Sequence, residues 1–180
     1  MAEAELARFI DRWTVEYTRT YPHPIARVWR AVTDPAEVAA WFFPPAVIDA
    51  RLGGGYVLGV GGDFKGVITA FEPPRFVRYG GPHAGPESCW QFELEARPGG
   101  TLMVFTQRIQ PGHFRNVHGW APDPPEHPAG AENPWFAGTL SGWHIAFDDL
   151  GDLMDGAPLR KRDEAALQAR YRAHMLATQP

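Results

Sequence analysis

Two residues of a predicted helix have the spacing for acid–base chemistry. His144 and Asp148 are four positions apart, so their side chains fall on one flank of that helix. A carboxylate beside an imidazole can hold the ring in one tautomer, as a general base requires. Pairs with this spacing are also common on helix surfaces, and we expect a partly exposed surface pair rather than a catalytic one. No serine or cysteine is spaced to act as a nucleophile with them, and Cys89 is predicted to be a small buried residue.

A proline-rich stretch carries the residues that could bind a metal ion. Imidazole and carboxylate groups are zinc ligands. Those in this stretch are His113, His118, Asp123, Glu126 and His127. Their spacing matches no compact ligand motif, and a stretch rich in proline offers no rigid scaffold. The sequence therefore predicts a solvated loop here, with neither a metal nor a cofactor.

Aromatic side chains give the strongest functional signal. The chain has 180 residues with seven Trp and eleven Phe, and such rings either fill a core or line a pocket for apolar ligands. The six predicted to bind a ligand are Trp41, Phe42, Trp90, Phe92, Trp143 and Phe147. The alternative is that they fill the interior. Three more are predicted to form a lid over the pocket or to pack on a partner subunit, namely Trp120, Trp135 and Phe136.

A sheet must position most of these residues. Residues 13–21 alternate bulky and polar side chains and predict the first strand, after a short helical or frayed lead-in over residues 1–11. Two short helices that begin with proline follow, separated at Asp34-Pro35. Short strands then continue over residues 46–109, which makes six or seven antiparallel strands in a meander. Glu93 alternates with inward-facing apolar residues and is expected to face away from the interior, as is Glu95.

A long loop and two helices are predicted for the last third of the chain. Prolines interrupt residues 110–134, which we interpret as an insertion. Large apolar side chains recur every three or four positions over residues 136–153 and predict a long helix that ends near Gly156. Asp163 is predicted to cap a last helix within a tail, residues 157–180, that could carry a homodimer contact. The apolar face of that helix is Leu167, Tyr171 and Met175.

Composition excludes several classes of partner. The net charge is −4, from 17 basic and 21 acidic residues without a basic stripe, which argues against nucleic acid. One cysteine excludes an internal disulfide framework and favours a reducing compartment. We expect no membrane span and no signal peptide, and therefore a cytoplasmic protein.

This order of elements resembles the START-like, or helix-grip, superfamily, which is also labelled SRPBCC. The likeness covers roughly residues 13–155 and is strongest to small proteins that resemble the C-terminal domain of the heat-shock-protein-90 ATPase activator. The insertion and the tail depart from the compact family pattern. The matching positions are Pro24, Val28, Trp29, Thr33, Asp34, Pro35, Trp41, Phe42, Gly66, Val67, Ile68, Glu72, Pro73, Pro74, Arg75, Tyr79, Trp90, Phe92, Leu94, Gly142 and Trp143.

The resemblance implies an α+β fold in one domain over residues 1–180. A curved antiparallel sheet would grip a long C-terminal helix, with two short helices after the first strand and a cavity between sheet and helix. Members of the superfamily include lipid and hormone binders as well as polyketide aromatases and cyclases, so the fold alone does not choose a function.

The function predicted from these observations is binding of a small hydrophobic molecule in that cavity. Few titratable groups are expected inside it, which favours binding over catalysis. Two alternatives remain open. One is a cyclase-like, aromatase-like or hydrolase-like enzyme that uses the same cavity, and the other is a co-chaperone-like or dimerising interaction module.

Overall fold

The computed structural model describes residues 6–11, 14–62, 64–81, 89–108 and 134–178, without the side chains of residues 134–136, 176 and 178. Within these ranges the chain forms eight strands and four helices. The strands are β1 Arg8–Asp11, β2 Thr14–Tyr21, β3 Ala46–Ile48, β4 Gly55–Leu58, β5 Phe64–Glu72, β6 Phe76–Gly80, β7 Cys89–Arg97 and β8 Gly100–Arg108. The helices are α1 Ile25–Thr33, α2 Pro35–Trp41, α3 Pro134–Met154 and α4 Glu164–Thr178.

All the strands belong to one curved antiparallel sheet in the order β1-β2-β8-β7-β6-β5-β4-β3. Strands β3 to β8 form the predicted meander. Strand β2 pairs with β8 over the whole length of β2. The α+β helix-grip fold predicted from the sequence is confirmed. Glu93 and Glu95 are exposed, as their alternation with Phe92 and Leu94 predicts.

The two short helices owe their boundary to Asp34 and Pro35. The Asp34 carboxylate accepts hydrogen bonds from the backbone N–H of Ala36 at 2.9 Å and of Glu37 at 3.2 Å, which caps α2. The Trp41 indole N–H, at the end of α2, donates to the Ala31 carbonyl at 2.9 Å. This bond ties the two helices together and fixes the ring of Trp41.

Helix α3 lies against the inner face of the sheet. Its large apolar residues are buried, as their periodicity predicts: Leu140, Trp143, Phe147, Leu150 and Met154. Two strand tyrosines reach the helix backbone, since the Tyr17 hydroxyl donates to the Leu140 carbonyl and that of Tyr21 to the Phe147 carbonyl, both at 2.9 Å. Buried hydroxyls need such partners, and these two set the position of α3 along β2.

Helix α4 packs back onto α3 of the same chain. Asp163 caps it by accepting from the Ala166 N–H at 3.0 Å, as the sequence predicts. Tyr171 and Met175 are fully buried, and Leu167 is partly buried against the same core. The apolar face of the tail is therefore covered within one chain. A homodimer through the tail stays a prediction, and it would have to use the outer face of α4.

The lead-in is the element that the sequence analysis describes wrongly. Residues 8–11 form an edge strand that pairs with β2, rather than a helical or frayed segment, which raises the strand count to eight. The reason is tertiary. Just before β1, the Ala7 N–H donates to the Tyr171 hydroxyl at 3.2 Å, and its carbonyl lies 2.8 Å from His174 Nε2. A segment with a weak local pattern is thus held in place by the sheet and the last helix.

Among the described residues, no helix is both long enough and apolar enough to span a bilayer.

Candidate functional site

A cavity of about 600 Å³ lies along one side of α3. Its walls come from the end of α2 and the segment after it, from β5 and β8 of the sheet, from α3, and from the first residue of α4. The lining residues are Trp41, Phe42, Phe43, Pro44, Phe64, Gln107, Gly138, Thr139, Gly142, Trp143, Ile145, Ala146, Asp149 and Glu164. A volume of this size is typical of sites for small molecules.

Small residues on α3 make the room for this cavity. Gly138, Gly142 and Ala146 recur at four-residue steps and therefore lie on one face of the helix. A Cβ atom built at Gly142 would meet no atom within 4 Å, so the missing side chain leaves open space. Glycine inside a helix is unfavourable by about 1 kcal/mol relative to alanine. Nothing in the packing around Gly142 requires glycine.

Two indole rings form the inner wall, and the polar atom of each is already satisfied. Trp143 Nε1 donates to Gln107 Oε1 at 3.0 Å, and Trp41 Nε1 bonds to α1 as described above. The ring of Phe42 stacks on that of Trp143, with centroids 4.5 Å apart and an interplanar angle of 16°. Since both indole N–H groups are bonded within the protein, this wall offers the cavity an apolar aromatic surface.

Phe43 stands at the rim in an unusual backbone conformation. It has φ of 40°, in the left-handed region that bulky residues rarely adopt, and 46% of it is exposed. Its ring packs on those of Phe42 and Phe64, with centroid separations of 4.7 and 4.8 Å. Strain of this kind is a pointer to function when it occurs beside a pocket.

The six aromatic residues predicted from the sequence lie in three places. Trp41, Phe42 and Trp143 line the 600 Å³ cavity. Trp90 and Phe92 line a separate void of about 10 Å³, to which Trp41, Phe42 and Trp143 also contribute, and a void of that size has room for no more than a water molecule. Phe147 is fully buried under α3, where it packs on Tyr17 and Phe105.

The predicted lid lies almost wholly outside the described residues. Trp120 falls in the undescribed range 109–133, and so do the imidazoles and carboxylates considered above as metal ligands. Trp135 and Phe136 belong to the first turn of α3, but their side chains are not described. Among the described residues, no group of three His, Cys, Asp or Glu side chains is placed to hold a metal ion.

Two carboxylates are among the residues that line the cavity. Asp149, on α3, is 3.4 Å from the guanidinium of Arg162, and burial raises its pKa above the ordinary value. Glu164 opens α4, is exposed, and accepts a hydrogen bond from the Gln168 amide at 3.0 Å. The lining also has polar groups from Gln107 and Thr139. The site is thus an aromatic pocket whose charged lining residues, in the described part of the chain, are these two carboxylates.

His144 and Asp148 do not form the pair that their spacing suggested. His144 is buried, with 4% exposure, and its Nδ1 lies 2.9 Å from the Tyr171 hydroxyl of α4. The expectation of a partly exposed surface pair is therefore wrong for His144, because α4 packs over this flank of α3. Asp148 instead lies near Arg162, with a closest N–O separation of 3.6 Å, and burial raises its pKa.

The protonation state of His144 follows from the same burial. Desolvation, together with the positive charges of Arg19, Arg170 and Arg162, lowers its pKa from 6.5 to about 4. The ring is therefore neutral at pH 7, and its Nδ1 can accept from the Tyr171 hydroxyl, which in turn accepts from the Ala7 N–H. His144 thus belongs to the packing between α3 and α4, and it is not one of the residues lining the cavity.

Buried titratable side chains lie outside the cavity. Arg19, on the inward face of β2, has 7% exposure, and its guanidinium donates to the Thr18 carbonyl at 2.9 Å. The packed interior therefore contains a cation and an imidazole, and neither is among the residues that line the cavity. Both belong to the side of α3 that faces β2 and α4.

Several lining residues carried a signal that the sequence analysis did not use. Gly138, Gly142 and Ala146 were visible as a stripe of small residues on a predicted helix, opposite a stripe of large ones. Phe43, Phe64, Asp149 and Glu164 had no comparable pattern, since their places at the cavity depend on how distant segments meet.

Comparison with known proteins identifies the family and the fold. The family whose sequence model matches residues 22–155 is described as Activator of Hsp90 ATPase homolog 1-like protein. The crystal structure of CalU16 from Micromonospora echinospora is 22% identical, covers 97% of this chain and 96% of its own, and superposes with a TM-score of 0.63. EF2215 from Enterococcus faecalis, a conserved protein of unknown function, is 17% identical over 97% of this chain and 91% of its own, with a TM-score of 0.67.

A third structure, NE0264 from Nitrosomonas europaea, is 16% identical, covers 82% of this chain and 97% of its own, and has a TM-score of 0.60. At such identities the likeness concerns the fold. No curated protein sequence matches the chain significantly.

Proposed function

The chain belongs to the Activator of Hsp90 ATPase homolog 1-like family, and we propose that it binds a small, mainly apolar molecule in the cavity beside α3. The observation that carries the proposal is the 600 Å³ cavity itself, which is lined by aromatic rings and by small helix residues. An empty, water-accessible space lined by aromatic rings is unfavourable in a protein that has no use for it. Gly142 and the strained Phe43 both keep this space open or shape it.

The shape of the cavity favours a ligand with a planar ring. The Trp143 ring is held by its bond to Gln107, and Phe42 stacks on it, so the inner wall is rigid. Gly138 and Gly142 also line the cavity and leave a strip of helix without side chains. A flat apolar molecule could lie against the aromatic rings and over this strip, and it would gain from the apolar area that it buries.

Binding is favoured over acid–base catalysis because of where the titratable groups lie. His144, the histidine singled out from the sequence, faces Tyr171 in the packing between α3 and α4. His23, which lies 2.7 Å from the Asp155 carboxylate, is not a lining residue of the cavity. The carboxylates of the cavity, Asp149 and Glu164, have no imidazole beside them among the lining residues. A substrate in this pocket would therefore meet recognition groups rather than an acid–base pair.

The test is binding of a neutral fluorescent probe, N-phenyl-1-naphthylamine, to the purified protein and to Gly142→Leu. Leucine at position 142 would fill the open space, so we expect the affinity for the probe to fall about tenfold or more, equivalent to about 1.4 kcal/mol. The matched control is Ala173→Leu, which adds a similar apolar surface on the exposed face of α4 and should bind like the unchanged protein.

Native mass spectrometry of the same samples gives the stoichiometry and reports any molecule that co-purifies. One probe per chain, displaced by the leucine at position 142, supports the proposal. Equal binding to the unchanged protein and to Gly142→Leu would show that the probe binds elsewhere and would refute it.

A further inference from the structure

We propose that the ligand of this cavity is a cation, an amine or quaternary ammonium group attached to an aromatic or other apolar body. The inference rests on the proposed function and adds the charge of the ligand to it. The positive group would lie near the carboxylates of the lining, Asp149 and Glu164, and the apolar body would lie against the aromatic wall.

The charges of the lining residues point in one direction. Two of them are carboxylates, and among the lining residues in the described part of the chain none is Lys, Arg or His. An anionic ligand would meet repulsion without a compensating cation among these lining residues. A neutral ligand would bury or crowd the two carboxylates and gain nothing from them.

The balance of charge around Asp149 strengthens the inference. Arg162 serves three carboxylates at once, at 2.9 Å from Asp152, 3.4 Å from Asp149 and 3.6 Å from Asp148. Arg160 also forms an ion pair with Asp152, so Asp152 has more compensating positive charge than Asp149 or Asp148. Asp149 therefore shares its counter-ion, Arg162, with two other carboxylates. Its side chain is only 17% exposed, so water compensates little of its charge.

The raised pKa of Asp149 is consistent with this shortage, because burial is its largest cause and the nearby Asp152 and Asp148 add to it. A ligand cation would supply the missing charge. It would also offset the desolvation that the carboxylate already suffers.

The aromatic rim supplies the second part of a cation site. Phe43 and Phe64 line the same cavity as Asp149 and Glu164, and the faces of such rings attract cations within about 6 Å. Aromatic rings combined with carboxylates recognise ammonium groups, since the rings tolerate a bulky apolar cation and the carboxylates select its charge.

The experiment compares three ligands with the same ring and different charge at pH 7. They are 1-naphthylmethylamine, which is a cation, 1-naphthalenemethanol, which is neutral, and 1-naphthoate, which is an anion. The affinity of each ligand is measured by a competition titration in which it displaces the neutral probe. We expect the amine to bind about tenfold more tightly than the alcohol, from cation–π attraction and partial charge pairing, and the naphthoate to bind most weakly.

Glu164→Gln identifies the source of the preference, because Glu164 is exposed and its replacement preserves the fold. This variant should weaken binding of the amine about threefold while binding of the alcohol stays unchanged. The matched control is Glu95→Gln, which removes the same charge from an exposed position of β7 that pairs with Arg97. It should leave all three affinities unchanged.

The outcomes separate this inference from the function on which it rests. If the alcohol binds as tightly as the amine or more tightly, the cavity binds ligands but the inference about charge is overturned. If Glu95→Gln weakens the amine as much as Glu164→Gln does, the preference comes from the overall net charge and the inference is also overturned. If neither the probe nor any of the three ligands binds, the proposed function itself fails.

Discussion

The two sides of α3 use similar residues for opposite results. On the side that faces β2 and β8, Phe147 is fully buried among the rings of Tyr17 and Phe105. On the side that faces α2 and β5, the aromatic residues Phe42 and Phe43 line a cavity together with Gly138 and Gly142 of the helix. Both sides are rich in aromatic rings, so aromatic content does not distinguish a core from a pocket in this protein.

What differs is the size of the helix residues that the rings face. Leu140 and Phe147 fill the space opposite the sheet, whereas Gly138 and Gly142 leave it open. The packed side also has its polar groups bonded within the protein, as in the contact of His144 with Tyr171. The open side keeps carboxylates at its margin. A packed region stabilises the fold, and an open one of the same composition is available for a ligand.

The largest expected effect on stability is found by comparing two variants, each of which removes one aromatic ring from one side of α3. Phe147→Ala should lower the free energy of unfolding by about 3–5 kcal/mol, because it leaves a cavity among well-packed rings. Phe43→Ala should lower it by less than about 1 kcal/mol, because the ring is half exposed. Urea unfolding followed by circular dichroism measures both. Equal losses would mean that Phe43 belongs to the core, and the distinction between the two sides would not hold.

A second prediction uses the titration of His144 on the packed side. Its pKa falls from 6.5 to about 4 on folding, so the unfolded chain takes up a proton more readily than the folded one. The resulting stability is fully present above pH 6.5 and is lost as the pH falls towards 4. We expect a loss of about 3 kcal/mol from this group across that window.

The measurement is the free energy of unfolding at several pH values between 4 and 7, for the unchanged protein and for His144→Asn. Asparagine can still accept from the Tyr171 hydroxyl but does not titrate, so the pH dependence should become shallower in the variant. An identical slope in both proteins would assign the acid sensitivity to other groups.

The smallest expected effect compares two glycines of α3. Gly142→Ala should raise the free energy of unfolding by about 1 kcal/mol, because alanine favours the helix and its methyl group enters open space. Gly151→Ala is the matched control on the packed side, where the new methyl group would lie 3.4 Å from the ring of Tyr21. The free energy of unfolding of Gly151→Ala should rise by less than that of Gly142→Ala. A larger gain at Gly151 would show that the packed side has unused room, which contradicts the comparison.

Local signals predicted much of the fold. Asp34-Pro35 marked the boundary between α1 and α2, and the Asp34 side chain caps α2 as such residues do. Asp163 marked the start of α4 in the same way. These elements were readable because the residues that define them are neighbours in the chain. Strand β1 was not, since it is held by β2, Tyr171 and His174, which lie far away in sequence.

The site was less predictable than the fold. Trp41, Phe42 and Trp143 were identified from the pattern of aromatics, and they do line the cavity. The same reasoning selected Phe147, whose ring is in the packed interior. An aromatic residue on an apolar helix face looks the same in either role, because its role depends on the residue across the gap.

The sequence by itself determined the order of the elements from β2 to α4, with an antiparallel meander before a long helix, and the stripes of large and small residues on α3. These follow from periodicity, capping and turn residues, which act over a few positions. Only the tertiary structure decided which side of α3 is filled and which is open. It also decided that His144 is buried by α4 and that Asp149 and Glu164 both line the cavity. Those outcomes depend on the packing of segments that are distant in the chain, and local sequence patterns do not encode that packing.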